Sequence, residues 1–68
     1  MTEFLWQLLR ACEKRRGAED AGQYEFWSVR VNYLVTMCRQ NGATEHMIEY
    51  AMKGDWVALT RTAGEAPQ

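Results

Sequence analysis

The sequence predicts an all-α fold: a small bundle of three helices plus a short fourth, with a central helix over about residues 21–40. Three observations lead to this prediction. Apolar residues recur at helical spacing in several segments. Residue types that start and stop helices separate those segments, and the glycines lie at segment ends or links. We expect one helical domain over residues 1–63 and a frayed C-terminal tail over residues 64–68.

The length and composition predict a domain with surplus apolar surface. A chain of 68 residues provides one domain at most, and it buries only about 60% of the surface that its unfolded form exposes. Small scaffolds of this kind usually need a disulfide, a metal, unusually good packing or a partner subunit. The sequence is 47% hydrophobic and 12% aromatic, so its apolar side chains are expected to exceed what one small core can bury. An interface is therefore predicted.

The first segment, TEFLWQLLRACEKRRG, predicts a helix of about four turns. Thr2 is a suitable N-cap, and three consecutive cations at residues 14–16 stabilise the negative end of the helix before Gly17. The apolar residues that recur at helical spacing are Phe4, Leu5, Leu8, Leu9 and Cys12.

Capping residues bound the remaining helices. Asp20 followed by Gln23 resembles a capping box that starts the second helix, and Asn41 with Gly42 supplies its stop. A threonine and an aspartate precede two further segments, EHMIEYAMK and WVALTRTA. These segments predict a third helix and a short fourth one.

The stretch WSVRVNYLVTMC, residues 27–38, also fits a strand, because apolar and polar residues alternate along most of it. A single strand needs a partner, and the same strand of a second subunit would supply it. That arrangement resembles the ribbon-helix-helix repressors, and the resemblance implies that Ser28, Arg30 and Asn32 face the major groove of DNA. The helix signals at both ends of the segment favour a helix instead. The residues after such a ribbon also leave room for only about two and a half turns, fewer than that family has.

Arg30 is the most informative single residue. On a helix it falls in an apolar arc with Phe26, Tyr33 and Met37, where a guanidinium is rarely buried without a partner. Either its stem covers aromatic rings while its head reaches solvent, or it is an interface arginine, since Arg, Met and aromatic residues are enriched at interfaces. All four residues are partner-binding candidates.

Three further residues complete the partner-binding candidates. Trp6 flanks the apolar stripe of the first helix, where it is expected to be available as a surface anchor. Arg15 and Arg16 belong to the only basic cluster. Cations at a helix C-terminus are explained by the helix dipole, and a partner-docking role is the second interpretation.

Composition and spacing argue against several other functions. The net charge of −1 lacks the basic excess typical of nucleic-acid-binding proteins, so nucleic acid is the less expected partner. Cys12, Cys38 and His46 lack the close ligand pairs of zinc sites, so no metal, cofactor or catalytic residue is expected. No apolar run approaches the roughly 20 residues that span a bilayer. Reduced thiols and the lack of a signal-peptide pattern predict a cytoplasmic location.

The expected function is that of a small non-enzymatic protein-binding regulator: an adaptor, antagonist or inhibitor that occupies a surface of a partner protein. Self-association as a homodimer is also expected, because the second helix carries more apolar surface than its neighbours can cover. In size and aromatic content the chain resembles the regulatory proteins that phages and mobile elements encode. The alternative is a dimeric repressor of the ribbon-helix-helix type that reads DNA through Ser28, Arg30 and Asn32.

Overall fold

The computed structural model describes residues 3–63, which fold into four helices. In chain order these are α1 (Glu3–Arg16), α2 (Ala21–Gln40), α3 (Glu45–Lys53) and α4 (Trp56–Ala63). The described residues contain no strand, so the all-α prediction of three helices plus a short fourth is confirmed. The expected cap at Thr2 and the expected tail over residues 64–68 lie outside the described residues.

The segment that also fitted a strand lies entirely within α2. At its start the Asp20 carboxylate accepts a hydrogen bond from the Gln23 backbone N–H at 2.8 Å. The Gln23 side chain in turn accepts one from the Glu19 N–H at 3.2 Å. At its end the Asn41 N–H donates to carbonyls of the last turn. Because both ends are satisfied locally, the helix forms. The strand interpretation, and with it the DNA-reading ribbon, is wrong.

We expect Asp20→Ala to lower the free energy of unfolding by about 1 kcal/mol, because it removes the acceptor at the start of α2. Urea titration followed by helical circular dichroism measures the change. Asp20→Asn keeps a capping side chain and should lose much less. Glu19→Ala is the matched control, since Glu19 contributes to this cap through its backbone. Equal stability of Asp20→Ala and Glu19→Ala would show that the cap is unimportant.

The packing centre of the domain is α1. This helix contacts both α2 and α3, whereas α2 packs mainly against α1 and touches α3 little. The buried side chains of α1 are Leu5, Trp6, Leu8, Leu9, Ala11 and Cys12. Those of α2 are only Val31, Leu34 and Cys38. The helix over 21–40 is therefore present as predicted, but it is not the central element of the bundle.

The last two helices complete the core, with α3 packing on α1 and α4 packing on α3. Ile48 and Ala51 of α3 and Leu59 of α4 are buried in the same cluster. Gly54 ends α3 with a positive φ of 76°, a conformation that side chains other than glycine rarely adopt. The chain then turns directly into α4, which packs on α3. One core thus uses all four helices and leaves the outer side of α2 uncovered by the described residues.

Candidate partner-binding surface

The solvent side of α2 carries a contiguous apolar stripe. Phe26, Val29 and Tyr33 are 63%, 65% and 50% exposed, respectively. Their spacing of three and four residues places them in one row along the helix. A single exposed apolar side chain is ordinary, but a contiguous exposed row marks an interaction surface. We call these three residues the outer ridge.

The outer ridge lies on the opposite side of α2 from the buried residues Val31 and Leu34. The shallow depression along it is lined by residues of α2 alone, so it is the surface of one helix and not an enclosed pocket. An exposed polar strip of Glu25, Asn32 and Thr36 separates the ridge from the core on one side. Helix α2 therefore has two apolar faces, and only one of them is used in the described fold.

Arg30 borders the outer ridge on its other side. Its guanidinium carbon lies 5.5 Å from the centroid of the Tyr33 ring, within the range of a cation–π contact. The residue is exposed, and none of the described carboxylates pairs with it. Phe26 makes an edge contact with Trp27, with ring centroids 5.0 Å apart. Arg30 thus covers an aromatic ring with its head still accessible to a partner.

A basic groove runs between α1 and α2 on the far side of Arg30. Its walls carry the cations Arg10, Lys14 and Arg30, and Trp27 and Leu34 contribute apolar lining. None of the described residues that line it is acidic. Among residues 3–63 the ion pairs lie elsewhere, each at 2.8 Å, and join Arg39 to Glu45 and Lys53 to Glu49. The basic groove therefore offers unpaired cations beside an apolar floor, continuous with the outer ridge through Arg30.

Trp6 is not a surface residue. Only 6% of it is exposed, and it belongs to the hydrophobic core. It lies at the edge of the apolar stripe of α1, but α1 is covered on more than one side, so the edge is buried as well. The expectation that Trp6 serves as a surface anchor is corrected for this reason.

The two arginines at the end of α1 lie away from the outer ridge. The Arg16 guanidinium donates a hydrogen bond to the Met52 carbonyl at 3.0 Å and so joins the ends of α1 and α3. Arg15 lies 5.9 Å from the Tyr24 ring centroid and holds the start of α2 against α1. Both side chains therefore make contacts within the fold.

Met37 lies half-buried near the end of α2, and its carbonyl accepts a hydrogen bond from the Asn41 side chain at 2.8 Å.

The structure thus brings Phe26, Arg30 and Tyr33 together on one exposed surface. Val29 was missed as a candidate, although its position between Phe26 and Tyr33 at helical spacing was a usable signal. Lys14 was considered only as part of a basic cluster, because the groove that it lines is formed by two helices. The Ser28 side chain is partly buried, away from the ridge.

The two cysteines are buried in the core as free thiols. Burial raises the pKa of Cys38 to about 11. Burial also raises the pKa of Cys12, although the nearby positive charges of Arg15 and Arg16 act in the opposite direction. At neutral pH both groups are protonated thiols that pack as small apolar side chains.

Within residues 3–63 no three metal-binding side chains are grouped so that they could hold an ion. None of the helices in that range combines the length and apolar character required to cross a membrane. Comparison with known proteins finds no matching family model, no matching curated protein and no matching solved structure. A function has to be inferred from the surface of this chain itself.

Proposed function

We propose that this chain is a small non-enzymatic regulator that occupies a surface of a partner protein, and that it works as a homodimer. The observation that carries the proposal is the continuous surface of α2, where the outer ridge meets the basic groove at Arg30. Interface cores are enriched in aromatic residues and arginine, and this surface has the same composition. It holds the three exposed apolar side chains that form one row, Phe26, Val29 and Tyr33.

The outer ridge supports self-association. Phe26 and Tyr33 each leave about half or more of the side chain in water, which for an aromatic residue is on the order of 100 Å². Burying that area contributes about 2 kcal/mol per ring at the usual coefficient. A second copy of the chain presents the same apolar row, so the outer ridges of two copies can bury each other.

The basic groove supports docking of a partner that carries carboxylates. Arg10, Lys14 and Arg30 surround the half-buried ring of Trp27. Cations beside an aromatic floor fit an acidic side chain that is flanked by an apolar one, since both parts of such a partner find complementary surface. Tryptophan and arginine are also the residue types that most often dominate binding energy.

The class of function follows from the form of this surface. Enzymes use concave, mostly enclosed pockets, whereas the outer ridge projects into solvent and the groove is open. Two free, buried thiols suit a reducing compartment, so we place the protein in the cytoplasm. A chain of this size, with an interface-like surface as its main feature, acts by covering a site on another protein, as small phage-type regulators do.

The test uses charge reversal in the groove. We expect Arg10→Glu with Lys14→Glu to weaken partner binding at least about 10-fold, because two attractive contacts become repulsive. The tagged wild-type chain and the tagged groove variant are each used to capture host proteins, and the two sets of captured proteins are compared. The affinity for each retained protein, once purified, is then measured by calorimetry.

Lys53→Glu with Arg61→Glu is the matched control. It changes the net charge by the same amount on exposed positions of α3 and α4. This control should keep the wild-type affinity, and both variants should keep the wild-type circular dichroism. Equal affinities of the groove variant and the control would place the binding site elsewhere.

A further inference from the structure

We propose that a second copy of this chain occupies the outer ridge, with the two α2 helices parallel and in register. In this arrangement Glu25 of each protomer pairs with Arg30 of the partner subunit. The inference rests on the self-association in the proposed function and adds the orientation, the register and the residues that select them.

The spacing of residues on the outer side of α2 is that of a coiled-coil seam. Phe26, Val29 and Tyr33 follow one another in steps of three and four residues, which is the a–d–a pattern of a heptad repeat. Continued in both directions, the pattern places Gly22 and Thr36 at the neighbouring d positions. Both are exposed, so the whole outer side of the helix is free of the described core. A second helix with the same repeat buries the apolar rows of such a seam.

The charges beside the ridge favour the parallel orientation. Glu25 stands one position before Phe26, at g, and Arg30 stands one position after Val29, at e. In a parallel, in-register pair each g side chain faces the e side chain five residues further along the other helix. Glu25 then meets Arg30 of the partner subunit, and the two-fold axis repeats this pair on the other side of the seam.

The antiparallel orientation has no such pairing. Antiparallel helices related by a two-fold axis bring equivalent flanks together, so the flank with Arg30 would meet the same flank of the second copy. Near the middle of the ridge the two arginines would face each other, and like charges at an interface disfavour it. Glu25 and Arg30 are both exposed, and neither forms an ion pair among residues 3–63, so both are available for the parallel pairing.

The shape of the domain allows the second helix to approach. Helix α2 has 20 residues and is about 30 Å long, close to the 33 Å length of the whole described domain. The buried face of α2 contacts α1 on the side opposite to the ridge. A neighbouring α2 can therefore lie along the ridge without meeting the core helices. Of the cations that line the basic groove, Arg10 and Lys14 belong to α1 and stay free of the helix pair.

The buried area predicts a dimer of modest affinity. Two half-exposed rings and one valine on each protomer give an interface at the small end of the known range. We expect a dissociation constant on the order of 10 μM, since small interfaces of this type are weak. The dimer should therefore form and dissociate within an accessible concentration range.

Sedimentation equilibrium of the full chain, from about 1 μM to about 1 mM, tests the proposal through charge swaps. Glu25→Arg and Arg30→Glu each turn both interhelical pairs repulsive, and each should raise the dissociation constant at least about 10-fold. The double variant, Glu25→Arg with Arg30→Glu, restores opposite charges and should recover the wild-type value. An antiparallel dimer would respond little to either single variant, and that result would overturn the parallel register.

A cysteine cross-link reports the orientation directly. Thr36→Cys places a thiol at a d position, where the two copies face each other only in the parallel register, and mild oxidation should join them. Tyr24→Cys, on the opposite side of α2, is the control that should stay unlinked. Cross-linking of the control alone, or of neither variant in a dimer, would overturn the register.

The outcomes also separate this inference from the proposed function. A chain that stays monomeric throughout the range overturns the self-association and leaves partner docking in the basic groove to its own test. A dimer whose dissociation constant is unchanged by the charge swaps overturns only the parallel orientation. If the outer ridge binds a different protein instead, the chain by itself should be monomeric at every concentration tested.

Discussion

Trp6→Ala is expected to remove a large part of the stability of the domain. Trp6 is 6% exposed and belongs to α1, the helix that contacts both α2 and α3. Truncating a buried tryptophan to alanine costs about 3–5 kcal/mol. A domain of this length has roughly 3–10 kcal/mol of stability in total. The loss should be visible as a large fall in the thermal midpoint and in the urea midpoint of the helical circular dichroism signal.

Trp56→Ala is the matched control for Trp6→Ala. Trp56 is 62% exposed at the start of α4, so its truncation should change the stability by less than about 1 kcal/mol. Trp6→Phe should lie between the two, because it keeps a ring and removes a buried indole N–H that finds no acceptor among residues 3–63. If Trp6→Ala and Trp56→Ala melted alike, Trp6 would have to be a surface residue.

Helix ends were predictable because their signals are local. The hydrogen bond from the Gln23 N–H to Asp20 spans three residues, and so does the one from the Met47 N–H to Thr44. Both depend only on neighbouring residues in the chain. The boundaries of α2 and α3 could therefore be derived without knowledge of the fold.

The alternation in α2 was ambiguous for a geometric reason. Residues two apart on a helix point about 200° apart, so an alternating pattern fills two opposite faces of a helix as well as one face of a strand. Trp27 and Val31 point towards the core, and Val29 and Tyr33 point away from it. An amphipathic helix has one apolar face, and the pattern looked like a strand because this helix has two.

The depth of Trp6 and the central place of α1 could not be derived from the sequence. Each depends on which helices pack on α1, and no local signal states that α3 covers the side that α2 leaves free. The basic groove could not be predicted for the same reason. Arg10 and Trp27 are 17 positions apart in the chain and line one groove only because α1 and α2 pack together.

The second large effect concerns alkaline pH. We expect the free energy of unfolding to fall between pH 9 and about pH 11, because the pKa of Cys38 is raised from 9.0 to about 11 in the folded protein. Below pH 9 the thiol is protonated in both states and contributes no pH dependence. Above pH 9 the unfolded chain loses the Cys38 proton before the folded protein does, and this stabilises the unfolded state relative to the folded one. The loss amounts to about 2–3 kcal/mol for two pH units and levels off once the folded state also ionises.

The measurement is urea unfolding at a series of pH values for wild type and for Cys38→Ala. Below pH 9 the variant is less stable because it leaves a cavity, so the informative quantity is the difference in slope with pH. All other ionisable groups are present in both proteins and cancel in that difference. Cys12, whose pKa burial also raises, remains in both proteins and cancels as well.

The result also tests which face of α2 is inside. Cys38 shares its face of the helix with Val31 and Leu34 and lies opposite to the outer ridge. Parallel slopes for wild type and Cys38→Ala would mean that the Cys38 thiol is solvated. The face with Tyr33 would then have to pack on α1, and the outer ridge would not be available for a second copy. A steeper fall of the unfolding free energy with pH in wild type would show that the face with Cys38 is buried. The outer ridge, on the opposite side of α2, would then be exposed.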